Sequence, residues 1–112
     1  MPPYDRTEYP TVAKYQQCLT KYSPGEAPSF VSLEGFVDAM VVVEGLKRAG
    51  KDLTREKFIS GIESIHSQNA GLGPRLILGY SATDHKGFDN VYPTVVKGGQ
   101  PVLLTDWSSV GK

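Results

Sequence analysis

Residues 30–49 constrain the fold of this chain more than any other segment. They contain the stretch FVDAMVVV, which is apolar on nearly every side of a helix, while Glu34, Asp38 and Arg48 can share a narrow polar strip. The valine run also suits a strand, but a basic last turn followed by Gly50 is the usual end of a helix. The sequence therefore predicts a helix over 30–49 that packs between other elements rather than on a surface.

A shorter helix is predicted on each side of this segment. Pro10 suits a first helical position, and apolar residues recur at helical spacing from there to Tyr22. Two prolines and a glycine within 23–28 then favour a turn. Further on, Thr54 is a suitable N-cap for a third helix that reaches about Ile65. The predicted buried face of this third helix consists of Phe58, Ile59, Ile62 and Ile65.

Strands replace helices after the glycine-rich turn at 71–74. Alternating apolar residues predict a short strand over 76–80, and a polar loop over 81–90 follows it. Helices come first and strands afterwards. The pattern predicts three helices, then a short strand and a C-terminal β-hairpin.

The hairpin is predicted from two runs, 91–97 and 100–107. The turn Gly98-Gly99 joins them, and both glycines can adopt the positive φ that a two-residue hairpin turn requires. With this turn, Lys97 faces Gln100. One proline in each run removes a ladder donor, so the hairpin is expected at a sheet edge or across an interface.

Charge and cysteine usage exclude some classes of partner. The chain has 112 residues, twelve of them basic and twelve acidic, so no overall field favours nucleic acid or an anionic membrane. The single Cys18 permits no internal disulfide. No segment has the features of a secretory signal, and no run approaches the ~20 apolar residues of a membrane span. This length first suggests one small domain.

Two catalytic or metal-binding interpretations are weak. Ser81, Asp84 and His85 have the residue types of a hydrolase triad, but adjacent loop residues rarely form one and no nucleophile elbow is present. A polar turn capped by Asp84 is the favoured interpretation. His66 and His85 lie outside any metal-ligand spacing, and His66 suits a helix end. We predict no catalytic residue, no metal and no cofactor.

Several aromatic residues stand near proline and glycine junctions, and they are too many for this chain to bury completely. Nucleic-acid stacking would need them interleaved with a basic face, and the basic residues are scattered instead. A small-molecule cleft or a protein interface is the favoured role. These residues are Tyr4, Tyr9, Phe30, Tyr80, Tyr92 and Trp107.

Four stretches of the sequence carry a resemblance to a known family. The first is PPYD at 2–5, followed by PTVAKY at 10–15. The second, PSFVSLEGFVDA at 28–39, is similar to a helix start of the form P-S … S-x-E-G-Y-x-A-A, and the third, AGKDLTRE, occupies 49–56. The fourth is DHKG at 84–87, followed by a Val-Tyr pair and the Gly-Gly turn. Each motif is short, but their shared order and spacing make the match specific.

In this order, the stretches resemble the C-terminal third of the type I periplasmic solute-binding proteins. The branch is the one that includes the leucine/isoleucine/valine-binding proteins of ABC importers. The resemblance implies the α/β fold class, here as a fragment of a two-lobe fold, with ligand bound between lobes that close on it. It assigns 1–28 and 86–112 to the second lobe and 29–85 to the first. The breaks at 23–28 and 81–90 would lie at or near the hinge.

The resemblance also implies the function. The expected role is the extracytoplasmic, non-enzymatic solute-binding component of an ABC importer, with the importer permease as partner and an amino acid or similar small carboxylate as solute. Phe30, Val31 and Ser32, at the start of the long helix, are the residues expected to touch solute. His85 is expected to fix the loop before the last strands. Most of the pocket in the family comes from earlier segments, so this chain alone is expected to bind with millimolar affinity or not at all.

The alternative hypothesis for the function is an autonomous protein-interaction module instead of a solute-binding component. Exposed lobe and cleft surfaces would leave apolar area uncovered, and such area tends to associate. The concrete form is a homodimer of this chain in which the hairpin or the first helix is exchanged between copies.

Overall fold

The computed structural model describes residues 1–104 and has the predicted α/β fold class, with three helices followed by short strands and a C-terminal hairpin. The β-strands form two separate antiparallel pairs, β1 with β2 and β3 with β4. The elements are α1 (Pro10–Tyr22), α2 (Phe30–Ala49), α3 (Arg55–Glu63), β1 (Gln68–Asn69), β2 (Ile77–Leu78), β3 (Thr94–Lys97) and β4 (Gln100–Leu103).

The predicted bounds of α1 and α2 are confirmed, and local capping explains those of α2. The side chain of Ser29 accepts a hydrogen bond from the Ser32 amide at the N-terminus of α2, and Gly50 ends the helix with a φ of 81°. Helix α1 has no side-chain cap. Instead, the Thr11 amide donates to the Gly71 carbonyl, 2.9 Å away, so a distant turn satisfies this helix end.

Helix α3 is shorter than predicted. Thr54 caps it as expected, accepting a hydrogen bond from the Lys57 amide at 3.1 Å. Ile65 lies beyond the helix and is nevertheless fully buried. Ile59 was predicted in the buried face and is exposed. That assignment was wrong because Ile59 follows Phe58 directly and so lies about 100° around the helix from it.

The strand predicted over 76–80 is reduced to the two residues of β2, and its partner β1 was not predicted. Gln68 pairs with Leu78 and Asn69 with Ile77. Beyond Leu78 the backbone bonds to other segments, since the Tyr80 amide donates to the Ile65 carbonyl at 2.8 Å. Two polar residues such as Gln68 and Asn69 carry no alternating pattern, so no sequence signal marks β1.

The C-terminal hairpin has the predicted turn and register. Gly98 and Gly99 have φ values of 58° and 76°, and Lys97 pairs with Gln100. The strands are shorter than predicted, because β3 begins at Thr94 and β4 ends at Leu103. Residues 105–107 of the predicted second strand, including Trp107, lie outside the described residues.

The hydrophobic core lies between α1, the first half of α2 and the segment 70–76. It is one cluster of fully or nearly fully buried side chains, with half-buried aromatic residues packed around it. Tyr15 belongs to this cluster, and Thr11 beside it donates from its hydroxyl to the Ala70 carbonyl at 2.5 Å. The buried members are Val12, Tyr15, Leu33, Val37, Leu72 and Leu76.

The second half of α2 is not enclosed, which corrects the prediction of a helix packed between other elements. Val42, Val43 and Leu46 are 46%, 48% and 41% exposed. The described part of the chain is a thin slab of 51 × 37 × 19 Å with a radius of gyration of 16.1 Å. A compact chain of this size has a radius of about 13 Å. The slab therefore has too few layers to cover both sides of α2.

Candidate functional site

A cavity of about 460 Å³ opens beside the first turns of α2. Helix α2 contributes Phe30 and Glu34, and Leu76 lies just before β2. The segment before and into β3 contributes Phe88, Asn90, Val91 and Thr94, and Met1 completes the lining. Four parts of the chain that are separated in sequence therefore meet around one space.

The cap of α2 positions Phe30 at this cavity. Ser29 fixes the start of the helix, and Phe30 is its first residue. The half-buried Phe30 ring packs edge-on against Tyr4, with centroids 5.3 Å apart and an interplanar angle of 79°. Glu34 follows one turn later and therefore lies on the same face of the helix as Phe30.

Ser32 takes part in a hydroxyl network instead of lining the cavity. Its Oγ hydrogen-bonds the Tyr15 hydroxyl at 2.5 Å and the Ser29 Oγ at 3.1 Å. The Tyr15 hydroxyl also accepts from the Ser29 amide at 3.1 Å. Because Tyr15 is only 2% exposed, this network ties the start of α2 to α1 within the core.

Val31 points away from both the cavity and the core, since its side chain is 81% exposed. The three residues predicted to touch solute are therefore spread over different sides of α2. Successive residues of a helix are about 100° apart, which separates neighbours in sequence. Phe30 lines the cavity, Val31 faces solvent and Ser32 bonds to Tyr15.

Sequence reasoning missed Glu34 and Phe88 as cavity residues. Glu34 is exposed, as its place in the polar strip of α2 predicts, and it also lines the open cavity; its spacing of four from Phe30 is a signal that the two share a face. Phe88 lies in the polar loop, and no periodicity links it to α2. Only the tertiary fold brings it to the cavity.

Two tyrosines flank the loop that leads into the cavity-lining segment. Burial, followed by the nearby negative charge of Asp38, raises the pKa of Tyr80. Burial is also the largest cause that raises the pKa of Tyr92, whose ring centroid lies 6.0 Å from that of Tyr9. Both phenols are therefore neutral over the physiological pH range, and their rings serve as packing groups.

A second cavity, of about 350 Å³, runs along the middle of α2. Apolar side chains dominate its lining, and Lys14, Glu44 and Lys47 also line it. It continues into the exposed apolar surface of the same helix. Its apolar lining includes Phe36, Met40, Val41, Val43 and Leu78.

Ser81, Asp84 and His85 do not converge. The Ser81 hydroxyl bonds to that of Thr83 at 3.4 Å, and Ser81 forms a backbone bridge with Asp84. His85 Nε2 lies 2.9 Å from Glu63 Oε1. The predicted polar turn capped by Asp84 is confirmed, because its Oδ1 accepts from the Lys86 amide at 3.0 Å.

The histidines do not assemble a metal site. His66 is exposed and lies three residues past the end of α3. In residues 1–104, no three or more His, Cys, Asp or Glu side chains cluster in a way that could hold a metal ion. Over the same residues, no helix is both long and apolar enough to cross a membrane.

Comparison with known protein families shows the family to which the chain belongs. The family model for periplasmic binding proteins matches residues 1–100 of 112, so the chain belongs to the periplasmic binding protein family. This membership gives it a solute-binding role and an extracytoplasmic location, in a family that is typically not enzymatic. Neither the curated proteins nor the solved structures include a match to the chain.

Proposed function

We propose that this chain supplies the C-terminal part of a two-lobed binding protein of the leucine/isoleucine/valine branch. This protein delivers an amino acid or a similar small carboxylate to the permease of an ABC importer. Family membership over 1–100 supports the solute-binding role. The four ordered motifs, above all PSFVSLEGFVDA at 28–39 and AGKDLTRE at 49–56, support the branch.

The observation that carries the proposal is the origin of the residues around the 460 Å³ cavity. Phe30, Glu34 and Leu76 come from 29–85, the range that the resemblance assigns to the first lobe. The other lining residues come from 1–28 and 86–112, the ranges assigned to the second lobe. A cavity between these ranges is where an interlobe cleft would hold its solute.

The size and chemistry of the cavity suit a small solute. Sites for small molecules are typically about 300–1,000 Å³, mostly apolar, with a few polar groups. Here Phe30 and Phe88 provide apolar walls, and Glu34, Asn90 and Thr94 provide polar atoms. We assign Phe30 to direct contact with the solute, Val31 to the rim that meets the facing lobe, and Ser32 to holding the start of α2 through Tyr15.

The proposed activity is binding and release without a chemical step. Lobe closure would remove water from the solute, and opening at the permease would release it. The chain alone provides a few walls of the cavity, so we expect it to bind amino acids with millimolar affinity or more weakly.

Calorimetry on the two-lobed protein encoded by the reading frame that contains this chain tests the proposal. We expect one of the twenty amino acids or a related carboxylate to bind tightly, and Phe30→Ala to weaken binding about tenfold or more, since it removes an aromatic wall. Val42→Ala is the matched control, because Val42 lies on the same helix outside both cavities. A reading frame without a segment large enough for the rest of two lobes would overturn the proposal.

The exposed face of α2 favours a second candidate function, self-association of this chain. Val42, Val43 and Leu46 lie close together on one helix, and each is more than 40% exposed. A second copy, packed directly or with an exchanged hairpin, would cover them. Sedimentation equilibrium should show a dimer that Val43→Glu dissociates. A strict monomer at high protein concentration would exclude this function.

A further inference from the structure

The turn between α2 and α3, together with the helix ends on both sides of it, carries a concentration of positive charge. Five of the twelve basic residues lie within 47–57, a segment that holds two of the twelve acidic residues. Arg48 is neutralised by Glu44, whose Oε1 lies 2.7 Å from its Nε. The other four basic residues are exposed, and none of them forms an ion pair within residues 1–104. They are Lys47, Lys51, Arg55 and Lys57, and the segment 47–57 that contains them is the basic corner.

Helix stability does not account for the positive charges at the start of α3. Thr54 caps this helix, so Arg55 and Lys57 lie in its first turn. The N-terminus of a helix carries a partial positive charge, and cations there are unfavourable. Glu56 is the one acidic residue of this turn, and its charge suits this end of the helix. Two charges that oppose the helix dipole indicate a role at the surface.

An apolar side chain is exposed in the same corner. Leu53 directly precedes the Thr54 cap, the position from which an apolar residue often packs against the fourth residue of the helix, here Phe58. Leu53 is nevertheless 54% exposed. The corner therefore presents an apolar group among basic ones, the combination with which interfacial segments bind anionic lipid surfaces.

The residue types in the corner favour a lipid surface over a protein partner. Three of the four basic residues without an ion pair are lysines, whose ammonium acts as a point charge without a fixed direction. Protein interfaces are instead enriched in arginine and depleted of lysine. The extracytoplasmic location also places the chain where membrane lipids rather than nucleic acids are available.

We infer that the basic corner binds the headgroups of an anionic lipid surface, with Leu53 entering the boundary between headgroups and acyl chains. Each lysine or arginine near such a surface strengthens binding about fivefold. Asp52 and Glu56 offset part of this attraction, so the binding is weak, reversible and sensitive to salt.

This inference goes beyond the proposed transport function and does not compete with it. The cavity of about 460 Å³ lies at the first turns of α2, and the basic corner begins in its last turn. A helix of 20 residues is about 30 Å long, so the two sites are well separated. A chain that binds lipid through the corner keeps the cavity accessible.

Sedimentation of the chain with lipid vesicles tests the inference. One set of vesicles consists of phosphatidylcholine alone, and the other contains about one third phosphatidylglycerol, which is anionic. At low salt, we expect the chain to partition at least about fivefold more strongly onto the anionic vesicles. This preference should fall as the ionic strength approaches the physiological range.

Two substitutions in the corner, each with a control on the hairpin, locate the binding surface. Lys51→Glu should weaken binding to anionic vesicles about tenfold or more, because it replaces an attractive charge with a repulsive one. Lys97→Glu changes the net charge equally at an exposed position of β3 and should have a much smaller effect. Leu53→Ser should weaken binding about threefold or more, whereas Val96→Ser, at a position that is 73% exposed, should not. Circular dichroism confirms that the four variants fold like the parent chain.

Several outcomes would overturn the inference. Equal partitioning onto the two kinds of vesicle, or no binding at low salt, excludes recognition of anionic lipid. Equal losses in Lys51→Glu and Lys97→Glu would show that net charge acts rather than the corner. Displacement of the vesicles by soluble poly-L-glutamate, with no effect of Leu53→Ser, would assign the corner to an acidic protein partner. All of these outcomes leave the transport function standing, because that function is judged by solute binding to the two-lobed protein.

Discussion

The two halves of α2 have similar composition and different surroundings. In the first half, Leu33 and Val37 are buried against α1 and the segment 70–76. In the second half, Val42, Val43 and Leu46 remain exposed although they are equally apolar. The difference shows that apolar character gives a helix the capacity for burial, while the neighbouring elements decide which of its faces are covered.

The second half of α2 approaches α3 closely at two glycines, and the Phe58 and Ile62 side chains of α3 pack over Gly45. A Cβ atom added at Gly61 would lie 2.6 Å from the Gly45 carbonyl oxygen and 3.2 Å from the Ala49 amide nitrogen. Gly45 and Gly61 are both buried at this crossing. The two helices approach closely because a glycine on each of them leaves room, at Gly45 for side chains of α3 and at Gly61 for the backbone of α2.

Leu33→Ala is expected to have the largest effect on stability. Leu33 is fully buried in the cluster under the first half of α2, so its truncation leaves a cavity and should cost about 2–5 kcal/mol. Leu46→Ala makes the same chemical change in the exposed half and should cost less than about 1 kcal/mol. Urea unfolding followed by circular dichroism measures both. Equal losses would show that the two halves are buried alike in solution.

Gly61→Ala is expected to have the next largest effect, a loss of about 1–3 kcal/mol. Alanine favours a helix over glycine, so propensity alone predicts the opposite sign. The added methyl meets backbone atoms of α2, which cannot move aside without separating the helices. Gly35→Ala is the control, because a Cβ there meets nothing within 4 Å and should be neutral or stabilising. If Gly61→Ala also stabilises the chain, the close crossing is wrong.

Arg48→Met should cost about 1 kcal/mol, the typical net value of intramolecular hydrogen bonds. Its guanidinium donates to Glu44 at 2.7 Å, to the Ser64 carbonyl at 2.8 Å and to Gln68 Oε1 at 3.1 Å. It thereby links the second half of α2 to the end of α3 and to β1. Arg48→Lys should recover only part of the loss, since an ammonium lacks the planar fork. No loss in either variant would show that this link contributes nothing.

The smallest predicted effect is on the free energy of unfolding at alkaline pH, through Tyr80, which lies near Asp38 in the first half of α2. Burial and the charge of Asp38 raise the pKa of Tyr80 above its ordinary value of 10.0. As the pH rises past the ordinary value, the unfolded chain loses the phenolic proton before the folded chain does, so stability falls. Tyr80→Phe should flatten this fall above about pH 10 and leave its slope unchanged below. Denaturation midpoints measured from pH 8 to 11 check this, and an unchanged alkaline slope would contradict it.

The parts of the fold that the sequence predicted correctly are those with local physical causes. Ser29 and Gly50 bound α2, Thr54 caps α3, and the Gly98-Gly99 turn sets the hairpin register. Each of these features depends on residues within a few positions of one another. A prediction from sequence needs no knowledge of distant neighbours to find them.

The candidate site was predictable only in part. Phe30 lines the cavity at the start of α2, whereas Val31 and Ser32 lie on other sides of the helix, and contact of these residues with solute stays a prediction. Glu34 was within reach of sequence reasoning through its spacing from Phe30. Phe88 and Thr94 were not, because their approach to α2 depends on the path of a long loop that carries no periodic signal.

The sequence by itself determined the bounds of α1 and α2, the turn and register of the hairpin and the family resemblance, because caps, turns and motifs depend on residues close together in the chain. The tertiary structure alone decided that β1 pairs with β2, that the second half of α2 stays exposed, and that four separate segments meet around one cavity. These outcomes depend on contacts between residues far apart in the chain. The identity of the side chains limits which of these contacts are possible. The packing of the whole chain decides which of them form.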